Sequence, residues 1–280
     1  MEDLKQSLVT DTGIMEPGDY LDEEKLVCCG KCHTRRQTRK YVKLIGRDKV
    51  FPINCRCRAE KQKREDEERA KREHRALVDR LQDTCFNHNK ALRNCTFENA
   101  AAAPPKALKL AKDYAEHWPE MFRDNIGYLF WGNVGNGKTY LAACIANAVM
   151  EQEGRVLMRN MGYFLNSSFA NREVLLKSLC DYDLLILDDF GMERGTEYGL
   201  EMVFAVIDAR YASKKPTIIT TNLSLDALHN PKTQDYRRIY DRVMEMCSPV
   251  KFEGESIRAN IQKNKMGNLR EICDIRDQEV

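Results

Sequence analysis

The feature that most constrains this chain is an octapeptide, Gly132-Asn133-Val134-Gly135-Asn136-Gly137-Lys138-Thr139. It follows the apolar run Tyr128-Leu-Phe-Trp131 and precedes an alanine-rich helical pattern from Tyr140 to Glu151. Strand, glycine-rich loop and helix in that order make a P-loop. Glycines let the backbone turn tightly and approach a phosphate with no Cβ in the way. The loop amides and the positive end of the following helix then face the anion. The spacing predicts ATP as ligand, with Lys138 on the β/γ-phosphates, the Thr139 hydroxyl on Mg²⁺ and Tyr140 opening the helix. Further apolar runs follow at Arg155–Met158, Asp183–Asp188 and Pro216–Asn222. Helical patterns at 106–118, 163–178 (with a break near Asn171) and 197–211 separate or flank the runs. Short continuous apolar runs alternating with helices mean an α/β fold, its strands parallel and covered on both faces.

A P-loop site needs an acid at the end of a neighbouring strand to hold the Mg²⁺ shell. Leu184-Leu-Ile-Leu187-Asp188-Asp189 supplies one. Asp188 is expected to orient the metal and Asp189 to polarise the attacking water. An aspartate is one methylene shorter than a glutamate, so slow turnover is expected. The run ending Thr220-Thr221-Asn222 puts a polar group at the next strand end. Asn222 there either senses the γ-phosphate and positions water, or simply makes a turn.

Eleven cysteines accompany an N-terminus with neither the basic region nor the apolar stretch of a signal peptide. No apolar run reaches the roughly 18–20 residues of a membrane span. The expectation is a cytoplasmic protein without membrane contact, whose thiols stay reduced. Cys29-Gly-Lys-Cys32 and Cys55-Arg-Cys57 form a C-x₂-C…C-x-C set, separated by enough chain for a small hairpin. Two such pairs close a tetrahedral Zn²⁺ site that leaves no open position for chemistry, so its role is structural. Cys28 and His33 are alternative ligands. Cys85, Cys95, Cys144, Cys180 and Cys247 fit no ligand spacing and are expected to be structural.

The formal net charge is only +2, yet basic residues outnumber acidic ones between Lys25 and Arg75. Such a stretch suits an anionic polymer, an acidic protein surface or merely a solvated helix face. From Arg58 to Gln82 strong helix formers carry opposite charges at Lys61/Glu65, Lys63/Glu67 and Arg69/Glu73. Ala70, Leu77, Val78 and Leu81 give this expected connecting helix its apolar stripe. Residues 1–60 therefore read as a zinc-binding module, 61–93 as a charged connecting helix and 94–280 as the nucleotide domain. A short helical turn is expected near Leu4–Leu8.

Taken together, the P-loop, Leu187-Asp-Asp-Phe-Gly191 and Thr220-Thr-Asn222 resemble the AAA+ ATPases, and two further segments narrow the likeness. Arg237-Arg-Ile-Tyr-Asp241-Arg242 looks like an arginine-finger segment, and Gly254-Glu-Ser256-Ile-Arg258 like a second sensor. The whole is similar to the DnaC/DnaI helicase loaders, some of them of phage type, and to the related IstB transposition ATPases, from about Thr96 to Arg258. The resemblance implies a parallel five-stranded sheet flanked by helices, preceded by a small zinc-ribbon-like module and a charged helix. It implies that Arg242 acts on a nucleotide held by a neighbouring subunit, with Arg238 as the alternative, and that Arg258 acts in cis. It further implies an ATP-dependent homo-oligomer that loads a replicative DnaB-type hexameric helicase onto single-stranded DNA during DNA replication initiation. The N-terminal module would dock on the helicase. DNA would be gripped by residues 160–177, including Tyr163, Phe164, Phe169, Arg172 and Lys177, although aromatics at helical spacing also suit a core. An IstB-like regulator of transposition and a nucleotide-gated adaptor with negligible hydrolysis are the competing readings.

Overall fold

The computed structural model describes residues 9–10, 13–100, 102–166, 172–191, 196–231, 233–254, 256–259, 262–263 and 265–266. The turn expected near Leu4–Leu8, the break near Asn171 and Phe169 lie outside them. The chain divides into two compact units, the first ending at Ala76 and the second beginning at Leu77.

In the first unit, β1 (Val9–Thr10) pairs with β2 (Gly13–Ile14), and β3 (Tyr20–Leu21) with β4 (Val27–Cys28), both antiparallel. A longer antiparallel hairpin joins β5 (Gln37–Val42) to β6 (Arg47–Pro52) through a 3₁₀ turn at Lys43–Ile45. Among the described residues few apolar side chains are buried here: Leu26, Val27, Cys28, Cys29 and Cys55. Ion pairs supplement them. Arg36 bonds Glu16 at 2.7 Å and Asp19 at 2.8 Å, Arg35 bonds Asp22 at 2.7 Å and Glu24 at 2.8 Å, and Arg58 bonds Glu16 at 2.6 Å. Helix α1 (Arg56–Phe86) begins directly after Cys55. Two of its expected charge pairs form, Lys61–Glu65 at 3.7 Å and Lys63–Glu67 at 4.0 Å. Arg69 reaches Asp66 at 2.6 Å, toward the N-terminus, where the sequence offered Glu73 on the other side.

The second unit runs α2 (Lys90–Arg93), α3 (Pro105–Glu116), α4 (Trp118–Arg123), β7 (Gly127–Gly132), α5 (Lys138–Glu151), β8 (Val156–Asn160), α6 (Met161–Leu165) and α7 (Arg172–Leu179). It continues with β9 (Leu184–Phe190), α8 (Glu197–Ser213), β10 (Thr217–Thr221), α9 (Leu225–His229), α10 (Gln234–Met246) and β11 (Cys247–Phe252). The five strands form one parallel sheet in the order β11-β7-β10-β9-β8. Alternation along each strand divides its side chains between two cores. On one face Tyr128, Phe130, Leu184, Ile186 and Ile218 pack with Ala111, Tyr114, Ile145 and Val149. On the other, Leu129, Leu185, Leu187 and Ile219 pack with Val203, Ile207, Ile239 and Val243. Leu184 to Leu187 are fully buried, each worth about 1.5–3 kcal/mol of burial. The fifth strand, β11, has Pro249 at an edge position, which the missing N–H tolerates.

Among the described residues the largest fully buried side chain is polar. Arg210 is fully buried, and its guanidinium donates to the carbonyls of Leu179, Tyr182, Asp183 and Pro216 and to the Thr217 hydroxyl, at 2.6–3.2 Å. It ties the end of α7 to the starts of β9 and β10. No helix among the described residues is long and apolar enough to cross a membrane.

Candidate nucleotide site and cysteine cluster

The loop between β7 and α5 carries the P-loop residues, and its backbone explains the glycines. Gly135 and Gly137 have φ of 88° and 86°, a left-handed conformation that strains any side chain. A Cβ on Gly135 would also collide with the Ser256 hydroxyl, and one on Gly137 would meet Ile257 Cδ1 at 3.2 Å. The loop is thus pressed against the segment that carries Arg258. Two further bonds hold it there: Ile257 N–H donates to the Gly135 carbonyl at 2.9 Å, and buried Asn136 Nδ2 donates to the carbonyls of Phe252 (3.3 Å) and Gly254 (3.1 Å).

Lys138 is buried, and its Nζ donates to the carbonyls of Gly132 at 2.8 Å and Asn133 at 2.7 Å, fixing the ammonium inside the loop. Burial lowers its pKa, opposed by the charges of Asp189 and Asp188. Thr139 Oγ1 donates to Asp188 Oδ1 at 2.9 Å, and Thr220 Oγ1 donates to the same oxygen at 2.7 Å. Burial raises the Asp188 pKa, while the two hydroxyls pull it back. A hydroxyl and a carboxylate converging beside a phosphate loop are oxygen ligands of the kind Mg²⁺ takes. Asp189 follows at φ 53°, its N–H held by Thr220 Oγ1 at 3.0 Å. From that turn Asp189 lines the cavity above the loop.

A cavity of about 550 Å³ opens above the loop. Val134, Gly135, Gly137, Lys138, Thr139, Tyr140, Asp189, Asn222 and Arg258 all line it. Its other wall was not legible in the sequence: Leu92, Cys95, Ala100, Ala103 and Ile257 form an apolar, small-residue surface of the kind a planar base needs. Asn147 builds that wall by donating to the Leu92 and Cys95 carbonyls at 3.0 and 2.9 Å. A run of small residues around Ala100–Ala103 was the one local hint. Arg242 is not among the lining residues. Its guanidinium pairs with Asp208 and lies 4.9 Å from the Phe204 ring centroid and 5.4 Å from that of Tyr211. Arg237 and Arg238, earlier on α10, are exposed. The segment expected to grip DNA forms two short helices; Phe164 is buried in the core, whereas Tyr163 is exposed and lies under the Arg159 guanidinium at 4.8 Å. Lys177 pairs with Glu173 at 2.7 Å and Arg172 with Glu201 at 3.8 Å.

In the first unit the sulfurs of Cys29, Cys32, Cys55 and Cys57 all lie within 4.8 Å of one another. Cys57 Sγ is 3.6 Å from Cys29 Sγ and 3.5 Å from Cys55 Sγ. Tetrahedral zinc thiolate sites need sulfurs about 3.8 Å apart, given Zn–S bonds of about 2.3 Å, so this quartet fits the ion. Thr34 and backbone N–H groups bring Cys32 down to about 5, and the backbone of Cys32 and Lys31 lowers Cys29. The neighbouring thiols Cys55, Cys29 and Cys32 push Cys57 up to about 12. Four sulfurs this close cannot all ionise without a cation between them. The two alternative ligands face elsewhere: Cys28 Sγ lies 4.0 Å from Asp22 Oδ2, and His33 Nδ1 lies 3.3 Å from the Tyr20 hydroxyl. Among the remaining cysteines Cys85, Cys95, Cys144 and Cys247 are buried, as a structural role requires, but Cys180 is exposed.

Comparison with known proteins bears on the same region. The model of the IstB-like ATP binding protein family matches residues 62–265. The replicative helicase loader DnaC of Buchnera aphidicola subsp. Schizaphis graminum is 32% identical over 182 residues, 60% of this chain and 71% of that protein. DnaC of Escherichia coli K12 is 31% identical over 147 residues, 49% and 58% of the two chains. The solved crystal structure of DnaI is similar in fold, with a TM-score of 0.50 at 20% identity over 60% of this chain and 96% of that one. A P-loop that follows a parallel strand, an acid pair on the strand two places away and a family match across most of the chain agree. The chain belongs to the IstB-like ATP-binding protein family and has its AAA+ P-loop ATPase fold, for which ATP and Mg²⁺ are the ligands.

Proposed function

We propose that this chain is an ATP-dependent loader of a replicative DnaB-type helicase onto single-stranded DNA. The observation that carries the reading is the cavity above the P-loop, where Lys138, Thr139, Asp189, Asn222 and Arg258 meet. The similarity to proteins named replicative helicase loaders supplies the biological setting. In this reading Gly132–Thr139 cradle the triphosphate, the small-residue wall takes the base, and Thr139 and Asp188 hold the magnesium. The ion neutralises phosphate charge when bound. Asp189 accepts a proton from the attacking water, Asn222 orients that water near the γ-phosphate, and Arg258 adds positive charge from the same chain. Arg242 serves a neighbouring subunit of an oligomer. To do so it must leave Asp208, which gives ATP-driven assembly something to break; Arg238, exposed earlier on the same helix, is the alternative. The cysteine quartet binds a structural Zn²⁺, and its unit docks on the helicase.

An immobilised full-length chain should capture a replicative helicase, more strongly with ATP than without. Failure to capture it under either condition would remove the loader reading and favour the transposition regulator, whose relatives share the family model. Asp189→Asn should retain ATP but release γ-phosphate about 100-fold more slowly, as loss of a general base does. Background release by the parent protein, even with single-stranded DNA present, would leave a nucleotide-gated adaptor instead.

A further inference from the structure

The hairpin of the first unit has one face whose charge is unanswered. Antiparallel register sets Lys40 directly opposite Lys49, Val42 opposite Arg47 and Thr38 opposite Phe51, so these six side chains share a face. Directly opposed like charges destabilise a hairpin, and a sheet keeps such a pair against its own stability. Lys43 adds a fourth cation in the turn. Among the described residues no acid pairs with Lys40, Lys43, Arg47 or Lys49. The nearby acids Glu16, Asp19, Asp22 and Glu24 are engaged by Arg35, Arg36 and Arg58. The hairpin's own acid, Asp48, sits opposite Tyr41 on the other face. All four cations are exposed, and Phe51 beside them is 36% exposed.

We infer that this face binds the backbone of single-stranded DNA. Cations on alternate residues of a strand stand about 6.6 Å apart, so Arg47 and Lys49 can each meet a different phosphate while Lys40 doubles the charge across the ladder. Phe51, next along the same row, offers a ring on which a base stacks. The face pairs cations for phosphates with one exposed ring for the plane of an unpaired base, and that combination suits a single strand. Choosing DNA over RNA rests on the proposed loader function; the charge argument does not. This surface is separate from residues 160–177, and it would give the zinc-type unit a ligand of its own.

The test uses the full-length, zinc-loaded chain without nucleotide and a fluorescently labelled oligo(dT), read by anisotropy across a salt series. Lys49→Glu is the informative variant, because it sets a carboxylate opposite Lys40 and so supports the hairpin while removing charge. It should weaken oligo(dT) binding about tenfold at low salt and flatten the salt dependence by about 0.7 per lost phosphate contact. Lys49→Arg should bind as the parent does, and Phe51→Ala should weaken binding with the slope unchanged. Zinc content of each variant reports that the unit is intact, and ATP retention reports the nucleotide site independently. If Lys49→Glu, with zinc present, binds oligo(dT) like the parent, the inference is overturned. It is equally overturned if that variant keeps DNA and loses helicase capture, since the face then belongs to a protein partner. Loss of ATP retention by the parent chain would instead strike the loader reading and leave the hairpin result standing.

Discussion

Asp188 shows how a single residue ties the fold to the ligand. It follows four fully buried residues of β9, so burial raises its pKa, while Thr220 and Thr139 bond its oxygen and partly offset that. In the proposed site magnesium would need the ionised carboxylate, which protonation removes below the raised pKa. Retention of Mg²⁺-nucleotide should therefore weaken on acidification at a higher pH than an ordinary aspartate would dictate, and Asp188→Asn should bind weakly with that pH step gone. Titrating nucleotide affinity against pH for both proteins checks this. At Arg210 the consequence is structural. Arg210→Met would leave the carbonyls and hydroxyl that the guanidinium serves without donors, destabilising the unit by about 3–5 kcal/mol, readable as a lower denaturation midpoint. These two residues differ in what the sequence could reveal. Asp188 is legible because an acid pair after four apolar residues is a local pattern. Arg210 is not, because nothing local says that a helical arginine will meet carbonyls from three other segments. The engagement of Arg242 by Asp208, Phe204 and Tyr211 is hidden for the same reason: those partners lie on a different helix.

Among the elements, β7, β8, β9 and β10 announce themselves as short apolar runs, since a parallel strand covered on both faces has no polar side to interrupt it. β11 does not, for Cys-Ser-Pro-Val-Lys-Phe is interrupted by two polar residues and a proline; only its edge position explains why it is a strand. The apolar wall of the nucleotide cavity left only the small residues around Ala100–Ala103 as a local hint. It is assembled from α2 and the segment after it by Asn147, far along the chain. The cysteine cluster was readable because C-x₂-C and C-x-C are local, and the chain between them folds as the hairpin their separation allowed. What the spacing left open was whether Cys28 or His33 replaces one of the four, which depends on where Asp22 and Tyr20 stand. With few buried apolar side chains among its described residues, the first unit would gain stability from a metal held by the quartet. Cys32→Ser should lower zinc content per chain and expose the first unit to proteolysis while the second stays resistant. Mass spectrometry and limited proteolysis read both, and full zinc occupancy in Cys32→Ser would dismiss the quartet.

For the whole molecule, the two units divide the work by chemistry: four thiols suited to a structural metal in one, a phosphate loop and its acids in the other. An assembly switched by nucleotide would need the second to respond to the γ-phosphate; the segment carrying Arg258 is bonded to the loop through Gly135 and Asn136, so a phosphate held by the loop would act on the segment's position. All of this depends on the cavity holding ATP. The direct measurement is calorimetric titration of the purified chain with Mg²⁺-ATP, beside Lys138→Ala. The parent should bind one ATP per chain, and loss of a charged hydrogen-bond donor to phosphate should weaken the variant about 10- to 100-fold. No heat of binding from the parent, or equal affinity in Lys138→Ala, would contradict it.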